Sequence, residues 1–167
     1  MIRAFLASLA VLGICASPAI AADPSGDWRV EDGSAVMRVA NCNGAIWGVV
    51  AWSAKAGGVD ENNPDPAQRN RPLLGLPIIR GMQQTKPNEW KGPLYNPRNG
   101  KTYDGVLTLK KPKVLEVEGC VMGGWICGGQ DWTRVATPHS NVGSGTPPDL
   151  CLSLFGSPGT SHQGGLK

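Results

Sequence analysis

The sequence predicts an all-β fold: an antiparallel up-and-down barrel of about eight strands, followed by a disordered C-terminal tail. Three observations carry that reading. Glycine (23) and proline (14) are frequent among the 167 residues, and strand-sized apolar runs lie between them without sustained helical periodicity. Turn-forming pairs punctuate those runs at short intervals. Finally, Gly26-Asp27-Trp28 and Gln130-Asp131-Trp132-Thr133-Arg134 bracket the whole set. If the first and last strands meet, the Arg134 guanidinium can stack on the Trp28 indole and close one barrel end.

Residues 1–22 read as a secretory signal. Arg3 supplies the positive start, Ala4 to Ile14 the apolar stretch, and Ala19-Ile20-Ala21 the small-residue cleavage motif. Cleavage near Ala21 or Ala22 is expected, giving a periplasmic or secreted chain. The apolar stretch is shorter than the roughly 20 residues that span a bilayer, and no later segment is long and apolar enough, so no membrane span is expected. Cys15 is a poor lipidation site because bulky Ile14 precedes it. The remaining chain divides into a barrel domain, 23–136, and a Pro/Gly/Ser-rich tail, 137–167, with room for one core. Lys and Arg number 16 against 13 Asp and Glu. That balance is too even to point to nucleic acid.

Each strand has its own signal. Ser34 to Cys42 and Ala45 to Ser53 flank Asn43-Gly44, a pair that tolerates the positive φ of a type I′ hairpin turn. Pro72 to Met82 is apolar but broken by Gly75 and Pro77, which predicts an edge, bulged or kinked strand. Glu89 to Asn96 and Lys101 to Lys110 flank the turn Pro97-Arg98-Asn99-Gly100. Val114 to Met122 and Trp125 to Val135 flank Gly123-Gly124, read as a two-residue turn that fixes register.

Counting outward from that turn pairs Met122 with Trp125, Val121 with Ile126 and Cys120 with Cys127. Leu115, Val117, Gly119 and Val121 then share the inward face with Ile126, Gly128, Gln130, Trp132 and Arg134. The same register sets Glu116 opposite Asp131, an unfavourable like-charge pair. A glycine bulge near Gly128-Gly129 would shift it by one. Tyr103, Gly105, Leu107 and Leu109 form another inward row, and its glycine, like those of the last hairpin, either leaves space for a ligand or marks a barrel corner.

An oxidising compartment allows disulfides among Cys42, Cys120, Cys127 and Cys151. A bridge between Cys120 and Cys127 needs little rearrangement. Cys42 and Cys151 either pair, stapling the tail to the barrel, or stay free, and the spacing does not decide. The two histidines, His139 and His162, lie in the tail and no Cys-x-x-Cys pair is present, so neither metal nor other cofactor is expected. Asp60, Glu61, Asn62, Asn63 and Asp65 offer oxygen ligands without EF-hand spacing, and Asx turns account for them more simply. No histidine precedes Arg134, and no nucleophile and base can be paired, so no catalytic residues are assigned and an enzyme is not expected. Of the six tryptophans, Trp47 and Trp52 fall on opposite faces of a straight strand, so at least one should point outward.

Taken together, Gly26-Asp27-Trp28, Asp60-Glu61-Asn62-Asn63-Pro64-Asp65, Arg71-Pro72-Leu73-Leu74-Gly75, Trp90-Lys91-Gly92, Tyr95-Asn96-Pro97, Gly100-Lys101-Thr102-Tyr103 and Trp132-Thr133-Arg134 resemble domain of unknown function 2147 over about residues 24–136. The resemblance implies a small protein exported by Gram-negative bacteria, a lipocalin-like barrel, and no established enzyme activity. It also implies that Trp28 and Arg134 close a barrel end, as the Gly-x-Trp and the late Arg do in lipocalins. Members carry a cysteine near position 47, where this chain has Trp47, and that departure leaves the pairing of Cys42 open.

The expected function is a non-enzymatic binding protein for a small, mainly apolar molecule or lipid, with Tyr103, Gln130, Trp132 and Trp90 lining the cavity and Gln130 orienting the ligand. The alternatives are a cell-envelope interaction module with a filled barrel and, more remotely, an enzyme. In the tail, Leu150 to Phe155 is an apolar island that either docks on the barrel or meets a partner.

Overall fold

A computed structural model describes residues 23–135 and 150–156; the expected signal segment and most of the tail lie outside them. Eight antiparallel strands form a closed barrel in sequence order: β1 (Gly26–Arg29), β2 (Ala35–Cys42), β3 (Ala45–Ser53), β4 (Pro77–Lys86), β5 (Glu89–Asn96), β6 (Lys101–Lys111), β7 (Val114–Val121) and β8 (Ile126–Arg134). Closure leaves no sheet edge open. Among the described residues, no helix is long and apolar enough to cross a membrane.

Local chemistry explains the turns. Asn43 and Gly44 both adopt positive φ, and Cys42 pairs with Ala45 across them. Strand β4 starts at Pro77, where a missing N–H is tolerated, and Gly81 at φ +63° sits where the ladder to β5 shifts register. It then runs on to Lys86, beyond the apolar run, because Asn88 takes a positive φ and turns the chain into β5.

The last hairpin keeps the expected register, with Cys120 opposite Cys127 and Glu116 opposite Asp131, and no shift at Gly128-Gly129. Its turn is longer than two residues. Met122 itself takes a left-handed φ of 55°, so Met122 to Trp125 leave the ladder and do not pair. The like-charge pair persists because Lys110, on β6, reaches Glu116 Oε1 at 2.9 Å and Asp131 Oδ1 at 3.5 Å. Hydrogen bonding to Glu116 and the nearby Asp131 charge push the Lys110 ammonium above its ordinary pKa.

One end of the barrel is closed and packed. Trp28, Ile46, Ile79, Met82, Leu107 and Leu115 are fully buried there, with Trp90 nearly so. The seam is short, pairing only Trp28 with Arg134 and Arg29 with Thr133. Arg134 reinforces it: its guanidinium lies 4.2 Å from the Trp28 ring centroid and donates to the carbonyls of Pro112, Ser25 and Asp23. Trp28 Nε1 donates to the Pro24 carbonyl at 2.9 Å. Gly26 has φ +135° and its missing side chain is where Arg134 Nη1 lies, which is why the cluster opens with glycine.

The apolar island of the tail is a helix, α1 (Leu150–Phe155), held on the outside of β2. Cys151 bonds to Cys42, Leu150 is buried, and Phe155 meets Trp47 edge-on at 5.1 Å. Of the two readings of this island, docking on the barrel is the one the structure shows, because a disulfide and an aromatic contact fix residues that composition alone would leave free. Trp47 points outward, where α1 covers it, and Trp52 lies on the same face rather than the opposite one, because the bulge beside Val36 and Met37 breaks the alternation expected of a straight strand.

Candidate functional site

Opposite the closed end, the barrel contains an open cavity of about 1260 Å³. Its walls are the inward rows of the strands: Met37 from β2, Val50 from β3, Ile78 from β4, Leu94 from β5, Tyr103 from β6, Val117 and Gly119 from β7, and Gly128, Gln130 and Trp132 from β8. Glycines matter here as space. A side chain at Gly119 would press on Tyr103, whereas Gly128 faces no atom within 4 Å.

The expected lining residues separate in the structure. Tyr103, Gln130 and Trp132 all lie in the cavity wall. The Tyr103 hydroxyl accepts from Asn99 Nδ2 at 2.8 Å, and Gln130 Oε1 accepts the Glu31 backbone N–H at 3.2 Å. Trp90 does not line the cavity. It is 3% exposed in the packed core near the closed end, because its position at the start of β5 places it below the lumen. The Trp132 ring is also buried, yet its indole Nε1 has no hydrogen-bond partner among the described residues. Buried donors are rarely left so.

Besides the β7–β8 hairpin, three connections shape the mouth. Residues 54–76 form a long loop after β3, tied at its neck by the Val59 and Pro72 bridge and centred on Asp60, which is fully buried. Tyr95 Oη donates to Asp60 Oδ1 at 2.7 Å, Asn63 Nδ2 to Oδ2 at 2.7 Å, and Arg71 pairs with Oδ2 through Nε at 2.9 Å and Nη2 at 2.7 Å. Burial pushes the Asp60 pKa up, but these donors outweigh it and hold the carboxyl below its ordinary value. Burial and the hydrogen bond to Asp60 push the Tyr95 phenol up. Arg71 and Arg80 also lie over the Tyr95 ring, at 5.7 and 4.8 Å. Asp60 is therefore a structural anchor. Asp65 likewise caps a short 3-10 turn at Pro66–Gln68, accepting from the Ala67 N–H.

The β1–β2 loop and the β5–β6 turn meet over the opening. Arg98 Nη2 reaches Asp32 Oδ2 at 2.6 Å and Ser34 Oγ at 2.8 Å. Hydrogen bonds from Ser34 and Arg98 hold the Asp32 carboxyl well below its usual range. Asn62 Nδ2 donates to the Arg98 carbonyl, and a side chain at Gly100 would collide with the Asn62 carbonyl. Strand order 1 to 8 puts these two connections on opposite sides of the mouth, so the ion pair is a strap across it. Sequence reading missed Arg98 and Asp32, whose spacing of 66 residues leaves no local signal.

The disulfide expected between Cys120 and Cys127 is present near the rim, across the last hairpin, with 4.0 Å between Cα atoms. Beyond it the tip is apolar and exposed: Val121, Met122, Trp125 and Ile126.

No curated protein matches the sequence. Among solved structures, the chain is similar to protein HP1028 from the human pathogen Helicobacter pylori, described as belonging to the lipocalin family, with a TM-score of 0.66 and 19% sequence identity over 78% of this chain and 97% of that one. That likeness is one of fold, a lipocalin-like eight-stranded barrel. The model of DUF2147, an uncharacterized protein conserved in bacteria, matches residues 26–134, the span from the start of β1 to the end of β8, and the chain belongs to that family.

Proposed function

We propose that this protein is a periplasmic or secreted, non-enzymatic binding protein that takes a small, mainly apolar ligand into the barrel cavity. The observation that carries the reading is the Trp132 indole N–H, buried in the cavity wall without an acceptor among the described residues. An unsatisfied buried donor costs about 1–3 kcal/mol, and a ligand bearing one oxygen acceptor would remove that cost. The rest of the inner wall is aliphatic or aromatic, with Met37, Val50, Ile78, Leu94 and Val117, which suits an apolar body. Tyr103 and Gln130 add hydroxyl and amide groups nearer the mouth. The charged residues of the lining, Glu31, Asp32, Lys55, Glu61 and Arg98, come from the loops at the mouth and not from the strands around Trp132, which favours a neutral oxygen such as a carbonyl or ether as the acceptor. Two disulfides support an oxidising compartment.

Native mass spectrometry of the protein mixed with a lipid extract tests the reading, with intrinsic tryptophan fluorescence as a second readout. A discrete adduct is expected, and Trp132→Phe should weaken its binding roughly 2- to 10-fold, the value of one hydrogen bond. Absence of any adduct, with unchanged fluorescence, would refute the binding role.

A further inference from the structure

We propose that the tip of the β7–β8 hairpin is a bilayer-docking element. Trp125 is 90% exposed, Met122 75%, Ile126 58% and Val121 41%. These four side chains are contiguous in the chain or across the turn: Val121 and Ile126 form the last ladder pair, and Met122 and Trp125 lie in the turn beyond it. They also sit in a charge-free run. From Gly119 to Gln130 no residue carries a charge, its two cysteines being joined in a disulfide, whereas Glu118 and Asp131 bound the run on both sides. Single exposed apolar residues are ordinary, but four grouped on one rigid turn without a charged neighbour in the chain mark an interaction surface. The Cys120–Cys127 bond holds the hairpin directly beneath the tip, so presenting it costs little ordering.

Area and shape favour a lipid surface over a protein. One indole buries about 150–250 Å², and four side chains on a narrow turn fall short of the roughly 800 Å² per partner of a stable protein interface. A convex tip of Trp, Met, Ile and Val fits instead among headgroups and the first acyl carbons, where an indole keeps its N–H hydrated while its ring is buried. The exposed Lys101 begins β6, three residues before Asp104, the partner of Cys120. It therefore stands at the same barrel end, beside the acidic Asp104, so the apolar tip rather than net charge carries the docking. Val121 and Ile126 also line the cavity mouth, so a docked tip turns that mouth toward the membrane. Docking itself does not depend on the cavity being a ligand site.

The test uses protein recovered from the periplasm with its N-terminus verified, and two kinds of vesicle: phosphatidylethanolamine with phosphatidylglycerol, and phosphatidylcholine alone. The protein should co-sediment with both, with Trp125 emission moving to shorter wavelength. Met122→Ser with Trp125→Ser should lower partitioning about tenfold or more, given the indole area lost, and leave the circular dichroism and melting temperature unchanged. Trp125→Phe should retain most of the binding. Trp132→Phe, a cavity change, should leave vesicle binding intact, which separates this proposal from the ligand reading. Failure of the native protein to bind either vesicle overturns it. So does equal binding by the double serine variant, as does an emission shift that appears only when an envelope protein is added.

Discussion

Replacing Asp60 with alanine removes the acceptor on which Tyr95, Asn63 and Arg71 converge. Asp60 is fully buried, while the Arg71 side chain is 30% exposed, so the variant leaves a half-buried cation and two polar groups without their partner. Breaking a buried pair by deleting one member costs about 3–5 kcal/mol, a large part of the roughly 5–15 kcal/mol that holds a domain together. At about 4 °C per kcal/mol for a chain of this size, the melting temperature should fall by roughly 12–20 °C. Tyr95→Phe deletes one charge-assisted donor and should cost about 1.5–3 kcal/mol. Urea denaturation followed by far-ultraviolet circular dichroism gives both values, and hydrogen exchange locates the effect. The amides of residues 58–73, including Asp60 N–H to the Arg71 carbonyl and Leu73 N–H to the Gly58 carbonyl, should lose protection before those of β5 to β8. A loss below about 1 kcal/mol for Asp60→Ala, with loop protection unchanged, would refute the claim that this carboxylate anchors the mouth.

The carboxyls of Asp60 and Asp32 both lie below their ordinary values in the folded chain. The stability they contribute is therefore present above the unfolded range near pH 4 and is lost as pH falls through the lowered folded values. Denaturation midpoints should be level through neutral pH and drop on acidification, less steeply in Asp60→Ala. Tyr95 acts on the alkaline side, since its raised pKa gives stability that is full below about pH 10 and lost above it. Arg98→Ala cuts the strap to Asp32; both side chains are largely exposed, so stability should change by less than about 1 kcal/mol, while stopped-flow association of a cavity ligand should quicken. Equal rates would show that the strap does not restrict entry. Of the two disulfides, Cys42–Cys151 spans 109 residues and Cys120–Cys127 spans 7. Loop entropy values them at about 4.7 and 2 to 3 kcal/mol, so serine pairs at the first should lower the urea midpoint more, and the reverse order would count against that account.

What could be read from the sequence was what adjacent residues decide. The Asn43-Gly44 and Gly123-Gly124 turns announced two hairpins, and strict alternation then set which side chains of β7 and β8 face the lumen. Groups defined by a third element were not legible. The clash of Glu116 with Asp131 looked like evidence against the register because the reconciling cation, Lys110, comes from the neighbouring strand. Asp60 read as one member of a run of Asx turns, and its place at the centre of a buried network had no local signal because Tyr95 and Arg71, which enclose it, are distant in sequence. Trp90 and Trp132 carry the same residue type on inward rows, and only their height along the barrel separates a core residue from a cavity residue. The pairing of Cys42 stayed open because its partner lies beyond a stretch whose composition says nothing about position.

The seam has a consequence for how the molecule comes into being. Only two residue pairs join β1 to β8, against eight between β7 and β8, and the joined strands are the first and last to be synthesised. Without β8, strands β1 and β7 would be the two bare edges of an open seven-stranded sheet. Contacts of such long sequence separation form late and slowly. The guanidinium that settles over Trp28 and bonds the carbonyls of Asp23, Ser25 and Pro112 is then the clasp that ends assembly, and a chain stopped short of it would remain an adhesive sheet.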